Sequence, residues 1–181
     1  MTIKNKHVVA GLIGVAVLGT AFSLSSCVSI PKGAIAVHPF QKDKYLGTWY
    51  EIARFDFRFE KGLSHVTATY SVKDANTIRV DNKGYDARNK KWKQSIGKAK
   101  FVNSDDAGRL KVSFFGPFYA GYNIIAIDDN YRYALIAGNN LDYLWILSRD
   151  KTIPATVKTE YLAKARELGY DTDKLVWTKQ D

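Results

Sequence analysis

Residues 45–55 read Tyr45-Leu-Gly-Thr-Trp-Tyr-Glu-Ile-Ala-Arg-Phe55, and this stretch decides the fold. Gly47 permits a tight turn, and Trp49 places the largest apolar side chain one step into the strand that follows. An indole in that position suits the plug of a closed sheet. Arg149 stands near the end of the last strong strand pattern, where its guanidinium can stack on the indole as a cation–π pair. We therefore predict that Trp49 and Arg149 close one end of a barrel.

Short runs of alternating polarity follow this stretch. The apolar faces of three of them are Val66, Ala68 and Tyr70; Leu110, Val112 and Phe114; and Tyr143, Trp145 and Leu147. Such alternation is typical of strands with one buried face. Counting from Trp49 gives eight strand candidates joined in order by short turns. This spacing favours an all-β fold, an eight-stranded up-and-down antiparallel β-barrel that closes its own edges, over a sandwich.

One helical pattern follows Pro154. Its apolar residues recur at helical spacing and end before Gly169; they are Val157, Tyr161, Leu162, Ala165 and Leu168. We expect this single C-terminal helix to pack outside the barrel over Leu144 and Ile146.

The composition agrees with such a fold. At 181 residues the chain is about one domain, and its 13% aromatic residues favour a β protein with a large apolar interior. The single cysteine excludes an internal disulfide.

Residues 1–26 have the pattern of an export signal. Lys4 and Lys6 precede an apolar centre from Val8 to Phe22, and Leu24-Ser-Ser-Cys27 resembles a lipobox whose cysteine becomes lipidated. A transmembrane anchor is the alternative, but a span needs about 20 apolar residues and usually a basic cytoplasmic flank, which does not follow here.

The domain prediction is therefore a signal peptide at 1–26, a lipidated Cys27 with a tether at 27–42, and a barrel at 43–181. Val28 stands where an Asp would direct inner-membrane retention, so we expect anchoring in the outer membrane, on the periplasmic side. Removal of Lys4 and Lys6 lowers the formal charge from +9 to +7. An exported lipoprotein does not meet nucleic acid, so this charge either attracts anionic lipid headgroups or solvates the outer face of the barrel.

The sequence offers little for catalysis. Of its three histidines, His7 leaves with the signal, and His38 and His65 stand apart from any metal-ligand spacing or nucleophile elbow. We predict no metal, no cofactor and no enzyme activity. Glu51 shares strand parity with Trp49, so it either anchors a ligand headgroup in the barrel or is a satisfied structural acid.

Three motifs carry a resemblance to a known family. Gly47-Thr-Trp49, Asp128-Asp-Asn-Tyr131 and Ile146-Leu-Ser-Arg149 are similar, in order, to the three signature regions of the lipocalins. The stretches 49–55, 114–118 and 142–149 resemble the bacterial outer-membrane branch, and Ile127 departs from the family's usual Thr. The resemblance covers about residues 43–178 and implies a lipid-binding barrel in which Gly47, Trp49 and Arg149 are structural.

We accordingly expect a barrel that binds one fatty acid or lysophospholipid, for storage or transport of lipids in the cell envelope. The predicted ligand-binding residues are Phe55, Ala68, Tyr70, Val112, Phe114, Tyr119, Tyr143 and Trp145. Phe55 and Tyr119 are expected near the open end. The alternatives are a lipid-modifying enzyme and a structural envelope lipoprotein with a packed barrel. The sequence also leaves open whether the protein forms a homodimer.

Overall fold

The computed structural model describes residues 28–181, so the predicted signal peptide and Cys27 lie outside the described residues. The strands are β1 (Gly47–Phe55), β2 (Leu63–Asp74), β3 (Thr77–Asp86), β4 (Lys91–Phe101), β5 (Arg109–Ser113), β6 (Ala120–Ile127), β7 (Tyr133–Ala137), β8 (Leu144–Ser148) and β9 (Leu175–Trp177). The helices are α1 (Lys42–Tyr45), α2 (Ala155–Glu167) and a 3₁₀ turn at Thr172–Lys174.

Strands β1 to β8 form a closed antiparallel ring. Each strand pairs with the next one along the chain, and β1 pairs with both β2 and β8. The predicted eight-stranded up-and-down barrel is confirmed. Because strands alternate in direction, the β1–β2, β3–β4, β5–β6 and β7–β8 loops lie together at one end, which we call the mouth. The opposite end, near α1, is the base.

The base is closed by the predicted pair. Trp49 is fully buried, and the Arg149 guanidinium carbon lies 3.8 Å from the centroid of a Trp49 ring. Arg149 also donates hydrogen bonds of 2.8 Å to the carbonyls of Lys44, Leu46 and Thr48. The sequence did not predict α1, which presents the first of these carbonyls to the guanidinium.

Helix α2 packs on the outside of the barrel, as predicted. Its buried Tyr161 and Ala165 belong to one apolar cluster with Leu144 and Ile146 of β8. The Tyr161 hydroxyl donates to the carbonyl of Tyr133, 2.9 Å away. The helix therefore covers the outer face of β7 and β8 and leaves their inner face to the barrel.

Residues 28–41 differ from the predicted tether, because they lie along the barrel wall. The amide of Val37 donates to the carbonyl of Ile124 at 2.9 Å, and the Val37 carbonyl accepts from Gly108 at 2.9 Å. Phe40 is 4% exposed and belongs to the inner core at the base. These contacts carry no periodic pattern in the sequence, so the segment had the signature of a linker. Residues 28–41 are thus in contact with the barrel.

The C-terminal tail seals the wall where β1 and β2 diverge. Paired residues of β1 and β2 extend only to Tyr50 and Thr67. Beyond them, the Gln180 side-chain amide donates to the carbonyls of Glu51 and Val66, at 2.7 and 2.8 Å. The tail backbone adds bonds from Thr178 to Ile52 and from His65 to Lys179. The barrel wall is thus completed by the last residues of the chain.

Candidate ligand cavity

A cavity of about 530 Å³ occupies the upper part of the barrel and opens at the mouth. Its size lies within the range of pockets that hold one small ligand. Its wall is mainly apolar, and each pair of consecutive strands, from β1–β2 to β7–β8, contributes residues to it. The lining includes Val66, Ala68, Tyr70, Val80, Val112, Phe114, Tyr122, Tyr143, Trp145 and Leu147. Such a wall suits an aliphatic chain.

Seven of the predicted ligand-binding residues line this cavity. One of them, Tyr119, lies at the mouth, and the other six are in the wall: Ala68, Tyr70, Val112, Phe114, Tyr143 and Trp145. Strand alternation accounts for their common direction. Phe114 packs closely over Gly97 of β4, where an added Cβ would lie 2.7 Å from its ring. Tyr143 and Trp145 stack with ring centroids 6.2 Å apart. Contact of these six side chains with a ligand stays a prediction.

Phe55 does not line the cavity, contrary to the expectation from its place at the end of a strand. The register of β1 against β8 shifts between Glu51 and Ala53, which is a β-bulge. Glu51 consequently borders the cavity, whereas Ala53 and Phe55 belong to the outer cluster under α2. Phe55 packs edge-on against Tyr170, with centroids 5.8 Å apart. The bulge therefore turns the side chains of Ala53 and Phe55 away from the barrel interior and toward the outer cluster.

Tyr119 lies at the mouth, as predicted, but its ring has cationic neighbours on the outer face. The ammonium groups of Lys98 and Lys111 are 5.6 and 5.2 Å from the ring centroid. These lysines alternate along β4 and β5 with Ala99 and Val112, which face the interior. Tyr119 therefore borders the cavity while packing against the outside of the wall.

Three tyrosines form the floor of the cavity. The Tyr122 hydroxyl is hydrogen-bonded to the hydroxyls of Tyr45 and Tyr70, at 2.6 and 2.7 Å. Burial raises the pKa of Tyr70 to about 12, so the group stays neutral at physiological pH. Trp49 and Arg149 lie beneath this layer. The floor separates the cavity from the base and limits how deep a ligand can reach.

A buried acidic corner interrupts the apolar wall. The Glu51 carboxylate pairs with the Arg54 guanidinium at 2.6 Å and accepts from the Thr178 hydroxyl at 2.6 Å. Glu60, from the β1–β2 loop, accepts a 3.2 Å hydrogen bond from the indole of Trp145. Burial, and after it the charge of Glu51, raises the pKa of Glu60 to about 8.

Sequence reasoning singled out Glu51, but it missed Glu60. A loop residue has no strand parity, so no periodic signal could point it toward the cavity. Another polar group in the wall is the Oδ1 of Asn82, which is buried and has no hydrogen-bond partner within residues 28–181. The cavity therefore offers polar contacts on two sides.

An aromatic bridge spans the mouth, and it was also missed because it is built from two loops. Phe59 of the β1–β2 loop lies 6.0 Å from Phe115 of the β5–β6 loop, centroid to centroid. Phe57 connects Phe59 to the wall through edge-on contacts with Tyr143 and Trp145. The bridge narrows the entrance without closing it.

In the part of the chain that the structure describes, no cluster of three or more His, Cys, Asp or Glu side chains could hold a metal ion. Across residues 28–181, no helix is long and apolar enough to cross a membrane.

Comparisons with known proteins agree with this geometry. A family model described as a lipocalin-like domain matches residues 40–180. The outer membrane lipoprotein Blc of Escherichia coli K12 is 52% identical over 168 residues, which is 92% of this chain and 95% of the relative. The protein of the same name from Vibrio cholerae is 44% identical over 158 residues, covering 87% and 92%. Among solved structures, insecticyanin from the tobacco hornworm Manduca sexta superposes with a TM-score of 0.67 at 19% identity, covering 83% of this chain and 86% of that one.

Proposed function

The chain belongs to the lipocalin family, whose barrels bind small hydrophobic ligands, and on that premise we propose that it holds one single-chain amphipathic lipid in its cavity. The candidates are a lysophospholipid and a fatty acid. We also propose that a lipid on Cys27 anchors the protein to the periplasmic side of the outer membrane, as the names of its bacterial relatives suggest. Storage or transport of lipids in the cell envelope is the role that these two proposals support.

The observation that carries the proposal is the apolar cavity of about 530 Å³ with its opening at one end. Burial of each methylene contributes about 0.8 kcal/mol, so ten of them contribute about 8 kcal/mol before the costs of association. An acyl chain of that length can lie between the aromatic wall and the tyrosine floor. Its polar end would then remain near the mouth.

The acidic corner favours a lysophospholipid over a fatty acid. Glu51, Asp56 and Glu60 surround one cation, Arg54, which pairs with the first two at 2.6 and 3.2 Å. An ammonium group of a choline or ethanolamine headgroup placed beside Glu60 would lower the raised pKa of this carboxyl and pair with it as a carboxylate, and it would also be attracted by Glu51 and Asp56. A fatty-acid carboxylate at the same place would be repelled.

Two alternatives have less support. A packed structural barrel is at odds with the volume of the cavity. For an enzyme, the nearest arrangement in the described residues is Ser64 with His65, whose Oγ and Nδ1 are 2.9 Å apart. Neither residue belongs to the cavity lining, so this pair is not placed to act on a lipid bound there.

Lipid extraction tests the proposal directly. The purified lipidated protein should release a single-chain lipid, identified by mass spectrometry, in about one copy per barrel. Titration with lysophosphatidylethanolamine and with palmitate should then show tighter binding of the former, and Glu60→Gln should narrow that difference. Failure of both lipids to bind an empty barrel would contradict the proposed function.

A further inference from the structure

Three phenylalanines project from the rim of the mouth into solvent. Phe59, Phe115 and Phe118 are 60, 68 and 69% exposed, and the first two are in contact across the entrance. They form one apolar patch on two loops that meet across the mouth. Large aromatic side chains that stay exposed together usually mark a surface that binds another molecule or a membrane.

Basic side chains surround this patch. The guanidinium of Arg58 lies 4.7 Å from the Phe59 ring centroid, and Lys61 is exposed in the same loop. The β3–β4 turn, at the same end of the barrel, adds exposed Arg88, Lys90 and Lys91. Cations around apolar side chains match the chemistry of a bilayer surface, where anionic phosphates lie above the acyl chains.

The loops at the base have a different character. They carry Asp105 and Asp106 in the β4–β5 loop, and Asp128 and Asp129 in the β6–β7 loop, beside Lys42 and Lys44 of α1. At the mouth, acids stand in the β1–β2 loop (Asp56 and Glu60) and in the β7–β8 loop (Asp142), so the basic side chains are concentrated on the β3–β4 turn, where residues 87–91 include no acid.

The first described residues start at the mouth as well. The Val28 carbonyl accepts from the Arg109 guanidinium, and the Ser29 hydroxyl donates to the carbonyl of Asn139, which borders the cavity in the β7–β8 loop. The Asn123 amide donates to the Ser29 carbonyl at 3.1 Å. Val28, the residue that follows Cys27 in the sequence, therefore lies at this end of the barrel.

We propose that the rim of the mouth docks on the surface of a phospholipid bilayer that contains anionic lipid. Phe59, Phe115 and Phe118 enter the headgroup layer, and Arg58, Lys90 and Lys91 contact phosphates. This inference rests on the proposed lipid binding and on the proposed acylation of Cys27. It adds to both that the mouth of the barrel faces the bilayer. A single-chain lipid would pass between bilayer and cavity without crossing bulk water.

A fluorescent reporter at the rim tests the docking. Cys27 is the only cysteine and its thiol is consumed by lipidation, so Phe118→Cys introduces one free thiol for an environment-sensitive dye. Asp105→Cys places the same dye at the base as a matched control. Both full-length lipidated proteins are reconstituted in vesicles of phosphatidylethanolamine and phosphatidylglycerol. We expect a blue shift and quenching by brominated lipid for the Phe118 position, and neither for the Asp105 position.

Two further variants test the role of charge. In the Phe118→Cys background, Lys90→Glu with Lys91→Glu should reduce the quenching, whereas Lys73→Glu, at the base, should leave it unchanged. Phe115→Cys provides a second rim position in case the first labelled protein is unstable.

Several outcomes would overturn the inference. A rim label that stays in water, or equal quenching at rim and base, rules out docking through the mouth. A blue shift that brominated lipid does not quench would indicate a second copy of the chain on the patch instead. Lysophospholipid bound by the same proteins is counted separately by mass spectrometry. A loaded protein with an aqueous rim would refute docking alone, and an empty protein with a docked rim would refute the proposed ligand alone.

Discussion

Trp49 and Arg149 share one hydrogen-bond acceptor. The carbonyl of Tyr45 accepts from the indole Nε1 of Trp49 at 2.8 Å and from the guanidinium of Arg149 at 3.1 Å. The two side chains also stack, with the guanidinium carbon 3.8 Å from the ring centroid. The stack and the shared carbonyl join the end of β8 to the start of β1 at the base.

This arrangement predicts strong coupling between the two residues. Trp49→Ala should cost about 3–5 kcal/mol of unfolding free energy, because it removes a fully buried indole. A cation–π pair alone gives Arg149→Ala a cost of about 0.5–2 kcal/mol. The carbonyls that lose their donor add about 1–3 kcal/mol, so the total should approach that of Trp49→Ala.

Urea denaturation of both single variants and the double variant measures this coupling as a double-mutant cycle. Arg132→Ala is a suitable control, since Arg132 makes an exposed ion pair with Asp150 that should contribute about 1 kcal/mol or less. Additive costs for Trp49 and Arg149 would contradict the structure.

Ala68→Trp should fill the cavity. Ala68 borders it on β2, so a large side chain there displaces part of an acyl chain while the outer wall is unchanged. Exclusion of two methylenes costs about 1.6 kcal/mol, and lysophospholipid affinity should fall about tenfold. Isothermal titration calorimetry measures this change in affinity.

Ser71→Trp, on the opposite face of the same strand, is the control for this substitution. A folded Ala68→Trp protein with unchanged affinity would place the ligand elsewhere.

The alternation of apolar and polar residues in the sequence was enough to assign side-chain direction in regular strands, but not in a strand with a bulge. It placed Ala68, Val112 and Trp145 on the inner face, and in the structure these residues line the cavity. The place of Phe55 at the end of β1 was misleading, because the register of β1 shifts between Glu51 and Ala53, and no polarity pattern reveals that shift.

Non-periodic segments were the other source of error. Glu60 lies in a loop, and residues 28–41 pack by backbone pairing with distant strands. Such contacts depend on which segments the closed ring brings together. The sequence alone does not show which segments will meet in this way.

The raised pKa of Glu60 predicts a specific dependence of stability on pH. The folded protein holds a proton on Glu60 up to a pKa of about 8, whereas the unfolded chain releases it near 4.5. The folded state therefore binds more protons between these values, and stability should fall as pH rises through this window. The slope from this one group is at most about 1.4 kcal/mol per pH unit.

Glu60→Gln should flatten that slope in thermal unfolding measured from pH 5 to 8. Glu160→Gln, on the outer helix, is the matched control and should keep it. If the wild-type protein gained stability across this range, the burial of Glu60 would not govern its titration.

Cys27→Ser should release the protein from membranes. The substitution removes the thiol on which the predicted lipid forms, so less of the protein should stay with the membrane fraction after a salt wash. Quantitative blotting of fractions measures this, with Ser26→Ala as a control that retains the cysteine. A Cys27→Ser protein that stays bound in full would mean that another part of the chain anchors it.

The seal made by the C-terminal tail has a consequence for the order of folding. The Gln180 side chain bonds to the carbonyl of Glu51 across 129 residues of sequence. Contacts over such separations must overcome the entropy of closing a long loop, so they form late. Strand β1 meets its partners β8 and β9 only across such separations, so this side of the wall stays open until residues 175–180 have folded onto it. We therefore expect that a barrel without these C-terminal contacts would hold its proposed lipid less stably.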